Sequence, residues 1–314
     1  MERLYNAKES RGINMNKRKT KIFSIGLPMD ASVSGFENFL AEFGELLSSM
    51  YFSIPLGRKF YSRTELENEY EFPGAEDKLF TFLSLLHKYN IRTELAVNTF
   101  KLSTLDLECI INYLSMHDII PDEIVCLREY GSFFRQHFPE VELKYSFNNI
   151  SHDVPECFDT VVFGKEYLRD REARHQWIDS GKDFVLLLNN GCSFTCHFEC
   201  GDSKFCGAIL NKNLKRHSLD YLYALQSFFP FELERLYEED PYADKYRFKI
   251  SNRPLGIQFT RNVLHYYATG VDISTLISKS ADNYGYFCVM QQLFAHRNEL
   301  DYNRIMNIKK DLPV

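Results

Sequence analysis

At 314 residues, with 45% hydrophobic and 25% charged side chains, the chain has the composition of a soluble globular protein and the length for one large core. Its formal net charge of -6 excludes a broad polyanion-binding surface, because phosphate contacts need clustered Lys and Arg. A small-molecule or peptide substrate is therefore expected before structured nucleic acid. No stretch approaches the roughly 20 apolar residues that span a bilayer, and the N-terminus lacks the apolar core of a signal peptide. These features predict a cytoplasmic protein with no membrane partner. The heavy aromatic load, 27 Phe and 19 Tyr, suits an aromatic-rich core or a surface that meets a protein partner.

Residues 1–20 are polar, net basic and without periodicity, and read as a mobile basic tail. From Lys21 to Val314 short β-branched and apolar runs alternate with segments of helical period, the pattern of a parallel sheet with crossover helices in a single domain. The predicted strands are KIFSIGLP from Lys21, SSMYFSI from Ser48, RTELAV from Arg92, EIVCL from Glu123, ELKYSF from Glu142, TVVFG from Thr160, DFVLLLN from Asp183 and RFKIS from Arg247. Between them GFENFLAEFGELL, DKLFTFLSLLHKY, LDLECIINYLSM and YGSFFRQHF carry apolar residues at three- and four-residue spacing, as helices covering a barrel would. Ser62 with Glu65 and Thr64 with Glu67 have the spacing of capping boxes. Eight strands predict an α/β fold, a (β/α)8 TIM-like barrel, with extra C-terminal helices from about residue 255.

Such a barrel works at the carboxyl ends of its strands. That rule brings forward Pro28, Asp30, Arg58, Arg63, Asn98, Arg128, Glu129, Asn148, Asn149, Lys165, Glu166, Asn189, Asn190 and Arg253. It also places residues 190–207 as a cysteine loop at the barrel mouth. Four of the eight cysteines, Cys192, Cys196, Cys200 and Cys206, fall there within fifteen residues. In a reducing compartment such density points to metal rather than disulfides. The spacing Cys-x3-Cys-x3-Cys-x5-Cys lacks the paired Cys-x2-Cys knuckles of zinc ribbons, so a 4Fe-4S cluster is the expected cofactor and zinc the alternative. His197 lies between the second and third cysteines as a substitute ligand or a bystander. Radical S-adenosylmethionine enzymes also begin with Cys-x3-Cys, but the next interval here is one residue too long and the cysteines follow the seventh strand instead of the first. Cys109, Cys126 and Cys288 lie in apolar settings and are expected to act as small buried hydrophobes.

The succession YFSIPLGRKFYSR, KYSFNN, VVFGKEYLRD, FVLLLNNGC and RFKISNRPLGIQFTRNVLHYYATGVD resembles the collagenase-like U32 peptidase family in order and spacing. Members of that family show an Arg after the second strand, a Ser-x-Asn stretch, a strand ending near a Glu, a cysteine-bearing segment and a late Lys-Ile-x-x-Arg. The resemblance implies an α/β barrel whose 4Fe-4S cluster is held by four cysteines, here Cys192, Cys196, Cys200 and Cys206. Some relatives are called proteases and several act in oxygen-independent hydroxylation, which makes a hydroxylase-like enzyme the first reading. A peptidase and a non-catalytic cluster-bearing partner subunit are the alternatives. One departure matters: relatives spread the cysteines over a longer stretch, so either the loop is shortened here or Cys157 or Cys288 replaces one ligand.

The same blocks bring forward Glu166 and Lys249 as catalytic candidates and Arg63, Asn98, Asn148 and Arg253 as substrate-binding ones. Arg63 and Arg253 would capture a carboxylate or phosphate with a planar fork of donors, or form surface ion pairs. Glu166 would accept a proton near the mouth or cap the helix expected from Leu168. Lys249 alternates with apolar neighbours on its strand, which predicts a lysine pointing into the barrel and needing a carboxylate, with Glu166 the first partner to look for. The amides of Asn98 and Asn148 would bind substrate or simply make turns. Neither a Gly-x-Ser-x-Gly elbow nor a His-Glu-x-x-His helix is present.

Overall fold

All eight predicted barrel strands form. The computed structural model describes residues 22–61, 70–99, 101–146, 154–163, 171–193, 225–227, 230–250 and 256–269. Strands β1 (Phe23–Gly26), β2 (Leu47–Phe52), β3 (Arg92–Val97), β4 (Glu123–Cys126), β5 (Glu142–Ser146), β6 (Thr160–Phe163) and β7 (Asp183–Leu187) follow one another along the chain. A two-stranded antiparallel element, β8 (Asn189–Ser193) with β9 (Leu225–Ser227), comes before β10 (Tyr246–Ile250). The barrel closes in the order β1, β10, β7, β6, β5, β4, β3, β2, and every pairing within it is parallel. This is a (β/α)8 TIM-like barrel.

The described helices are α1 (Val33–Phe43), α2 (Ala75–Lys88), α3 (Thr104–Met116), α4 (Gly131–His137), α5 (Arg171–Asp179), α6 (Pro230–Glu239) and α7 (Gly256–Thr269). Helix α1 starts where the Ser32 hydroxyl accepts from the Gly35 amide, satisfying one free donor of its first turn. It buries Phe36, Phe39, Leu40 and Phe43 on one stripe, and α2 answers with Leu79, Phe82, Leu83 and Leu86. The Phe36 and Phe82 rings stack with centroids 4.1 Å apart. Fully burying such a ring contributes about 1.5–3 kcal/mol. Helix α3 opens on a capping box between Ser103 and Asp106. The boxes expected at Ser62 and Thr64, the tail 1–20 and the chain beyond Thr269 lie outside the described residues. No helix among the described residues is long and apolar enough to cross a membrane.

Strand alternation divides the side chains between helices and lumen. On β1, Phe23 and Ile25 join the outer core with Phe248 and Ile250 of β10. A bulge at Ser48 shifts the β1–β2 register so that Phe23 faces Leu47 while Ser24 faces Ser49. The extra residue turns Ser49 to the same side as Ser24, away from the outer core. Inside the barrel Val125, Val162 and Val185 form a small apolar layer of their own, packed with Ala96. The rest of the lumen is polar, and much of it is charged.

Candidate functional site in the barrel lumen

Ion pairs between strands that are not neighbours in the sheet cross the lumen, and several do. Lys144 of β5 reaches Glu94 of β3 at 2.7 Å and also pairs with Glu123 of β4. Lys249 of β10 reaches the other oxygen of Glu94 at 2.5 Å. Arg247, two residues earlier on β10, donates to Glu142 Oε1 of β5 at 2.6 Å and to the Thr160 hydroxyl at 3.0 Å. Arg92 closes the lower edge, at 2.7 Å from Glu123 and 2.8 Å from Glu142. Four cations and three carboxylates therefore form one connected network.

Position along the strands orders this network. Arg92, Glu123 and Glu142 begin their strands, Glu94 and Lys144 are third on theirs, and Lys249 is the fourth of five on β10. The network thus climbs from the amino end toward the carboxyl mouth, with Lys249 uppermost. Its side chain is 12% exposed, against 2% for Lys144, and its ammonium lies 4.1 Å from the centre of the Tyr51 ring. That ring face attracts a cation. Tyr51 is fixed in turn, its hydroxyl donating to the Ile250 carbonyl at 2.9 Å.

Burial opposes every one of these charges, and the pairing decides the outcome. Burial pushes Glu94 up, but Lys144 and Lys249 more than offset it and hold the carboxyl far below the usual carboxylate range. Glu142 is likewise pushed up by burial and then brought down to about 2 by Arg247, Lys144 and Thr160. Glu123 goes the other way, because burial and its fellow carboxylates outweigh Lys144 and Arg92. Burial lowers Lys144 as well, yet Glu94 and Glu123 together raise it. For Lys249 burial, helped by the Lys144 charge, prevails over Glu94 and Glu123, and its proton is held less tightly than on a free lysine. One lumenal lysine is thus locked as a cation, and the other is the easier to deprotonate.

Two hydroxyls complete this wall. Ser24 is in register with Lys249 on one side and with Ser49 on the other. Both hydroxyl oxygens are buried and lack a hydrogen-bond partner among the described residues. A buried hydroxyl without a partner carries a desolvation cost of about 1–3 kcal/mol.

The lysine predicted to point inward does so and meets Glu94; Glu166, the partner looked for first, lies outside the described residues. Also outside them are Arg63, Asn148, Arg253, Cys196, Cys200 and Cys206. Asn98 follows β3 directly and is half-buried. Asp30 is at the mouth as expected, but both its oxygens accept from the Ile257 amide at 3.1 Å, which makes it the N-terminal cap of α7. Cys192 belongs to β8, which begins two residues after β7. The linking residue Leu188 donates its amide to the Lys249 carbonyl at 2.9 Å, so the cysteine strand leaves the barrel beside the uppermost lysine. Among the described residues no group of three or more His, Cys, Asp or Glu side chains is arranged to hold a metal ion. Cys126 is buried as expected, whereas Cys109 is exposed on α3, contrary to its apolar sequence setting: the residue faces away from the barrel. Cys157 is half-buried against Gly131 at the start of α4.

The network itself was missed from the sequence except for Lys249. Its signal was the charge at alternate positions, Arg92 and Glu94, Glu142 and Lys144, Arg247 and Lys249, on strands whose other face must be apolar.

No family model matches the chain, and no curated protein does. Among solved structures it is similar to one titled "The Structure of the U32 Peptidase Mk0906", with a TM-score of 0.38 and 8% identity, over 74% of this chain and 94% of that one. A likeness of that size carries no weight for function, and the barrel rests on its own strand pairing.

Proposed function

We propose that this chain is an iron–sulfur barrel protein of the U32 peptidase type, acting in oxygen-independent hydroxylation of a small molecule or peptide. Cys192, Cys196, Cys200 and Cys206 would hold a 4Fe-4S cluster. The observation that carries the reading is the placement of Cys192, on a strand that departs from the carboxyl end of β7 next to Lys249. The carboxyl end is where barrel enzymes gather their working residues. The donor set fits, since four thiolates close to one another in a chain are the ligands such a cluster takes. When bound, the cluster would supply one-electron transfer or fix the loop.

The rest of the work falls to the chain's own side chains. Lys144, Glu94 and Glu123 form a buried, ion-paired floor below Lys249. Lys249, held by Glu94 and the Tyr51 ring, stands uppermost in this network, and Glu166, Arg63, Asn98, Asn148 and Arg253 would hold the substrate above it. The tests are anaerobic purification with metal analysis and a visible spectrum, followed by incubation of the iron-loaded protein with a reductant and candidate aromatic or peptide substrates. A brown protein with four thiolate-bound irons supports the reading; a colourless one with a single zinc overturns it.

A further inference from the structure

We propose that Lys249 is a covalent binding residue, whose amine condenses with the carbonyl group of a small aldehyde or ketone entering at the barrel mouth to form an imine. Three independent observations meet at this residue. Lys249 is the uppermost cation of the lumenal network, near the carboxyl end of β10, and retains exposure that Lys144 has lost. Among the described residues its one carboxylate contact, Glu94, is shared with Lys144, whereas Lys144 also pairs with Glu123. Beside it in register stand Ser24 and Ser49, whose buried hydroxyls have no partner among the described residues and are free to donate to, or accept from, an oxygen at this wall.

The chemistry balances without a further reactant. The neutral amine attacks the carbonyl carbon, the C–N bond forms as the carbonyl π pair moves to oxygen, and the carbinolamine then loses that oxygen as water. Counted from the resting ammonium, two of its three protons leave on the water and one stays on the iminium nitrogen. The positive charge is therefore conserved, and Glu94 keeps a cationic partner throughout. That matters in a lumen where an unpaired buried carboxylate would be strongly destabilising. Burial, which loosens the proton on Lys249, supplies more of the free amine that the first step needs.

The test is reductive trapping on the full chain, with pyruvate or glycolaldehyde as the carbonyl probe and sodium cyanoborohydride as hydride donor, read by peptide mapping. The exposed lysines Lys59 and Lys88 serve as internal references, with side chains 62% and 63% exposed. Lys249 is expected to be modified several-fold faster than either, because burial holds its proton less tightly. Equal or slower modification of Lys249 with both probes overturns the proposal. Lys249→Arg keeps a cation for Glu94 and is expected to abolish the adduct while leaving those at Lys59 and Lys88 unchanged; an undiminished total would also overturn it. The inference does not rest on the iron–sulfur reading, because trapping is expected equally in protein with and without iron.

Discussion

Lys249 and Glu94 meet across the barrel at 2.5 Å, joining β10 to β3 over the two strands that separate them in the sheet. Because Glu94 also takes Lys144, and Lys144 takes Glu123, the lumen holds its charges as one set rather than as separate pairs. Buried pairs of this kind cost much of their attraction in desolvation, so their presence adds little net stability, while breaking one is expensive.

Lys144→Met tests that asymmetry. Among the described residues it leaves Glu94 with Lys249 alone and Glu123 with only Arg92 and Arg247, and is expected to lower unfolding free energy by about 3–5 kcal/mol in urea titrations. Adding Glu123→Gln should restore part of the loss, since the two residues share a contact and are not additive. An additive double variant would show that the charges act independently.

Acid should unfold the barrel over a defined window. Glu142 titrates near 2 when folded against an ordinary 4.5, and Glu94 lies lower still. A carboxylate depressed by folding contributes stability that is complete above its unfolded value and drains away as pH falls through the folded one. Stability should therefore fall as pH drops from about 4.5 to 2, whereas Glu123, whose carboxyl burial raises, adds stability only as pH falls toward 4.5 from above. Thermal melts in that range should be steeper in the parent than in Glu142→Gln, which removes one of the titrating groups.

The loop after β1 caps α7, the helix that follows the neighbouring strand β10, through Asp30. Asp30→Ala is expected to cost about 1 kcal/mol, the usual loss of an N-terminal capping side chain. Hydrogen exchange should rise at the Ile257 amide and its neighbours with little change in α1.

The barrel was legible because its strands are short apolar runs set between helices whose buried faces repeat every three or four residues, as in α1 and α2. The lumen was not, and the reason is geometric. A one-dimensional pattern shows that Glu94 and Lys144 alternate with apolar residues, but which distant strand faces which depends on barrel closure, and Ser49 turns inward only because of the bulge at Ser48. Lys249 was singled out, yet the carboxylate that stands opposite it on β3, Glu94, was not. Likewise the cysteine segment was read as a loop, whereas its first cysteine lies in β8, at the irregularity between Asn190 and Ser193 in a small separate sheet. Asp30 shows the converse error, a polar residue at the mouth whose oxygens are taken up by a helix end.

Gly131 opens α4 where a Cβ would meet the Phe158 ring at 2.5 Å and the Cys157 sulfur at 2.8 Å. Gly131→Ala is expected to cost about 1–3 kcal/mol through overpacking, read as a lower urea midpoint. A smaller partner should absorb the added methyl, so pairing it with Cys157→Ala is expected to recover part of that loss.

The central claim is that four cysteines starting at Cys192 hold an iron–sulfur cluster at the mouth of this barrel. Iron and acid-labile sulfide, measured on anaerobically purified parent and on Cys192→Ala and Cys206→Ala, test it most directly. The account predicts about four irons per chain in the parent, as a cubane cluster requires, and a large loss in each variant. A parent without iron, or iron content unchanged in both variants, would contradict it.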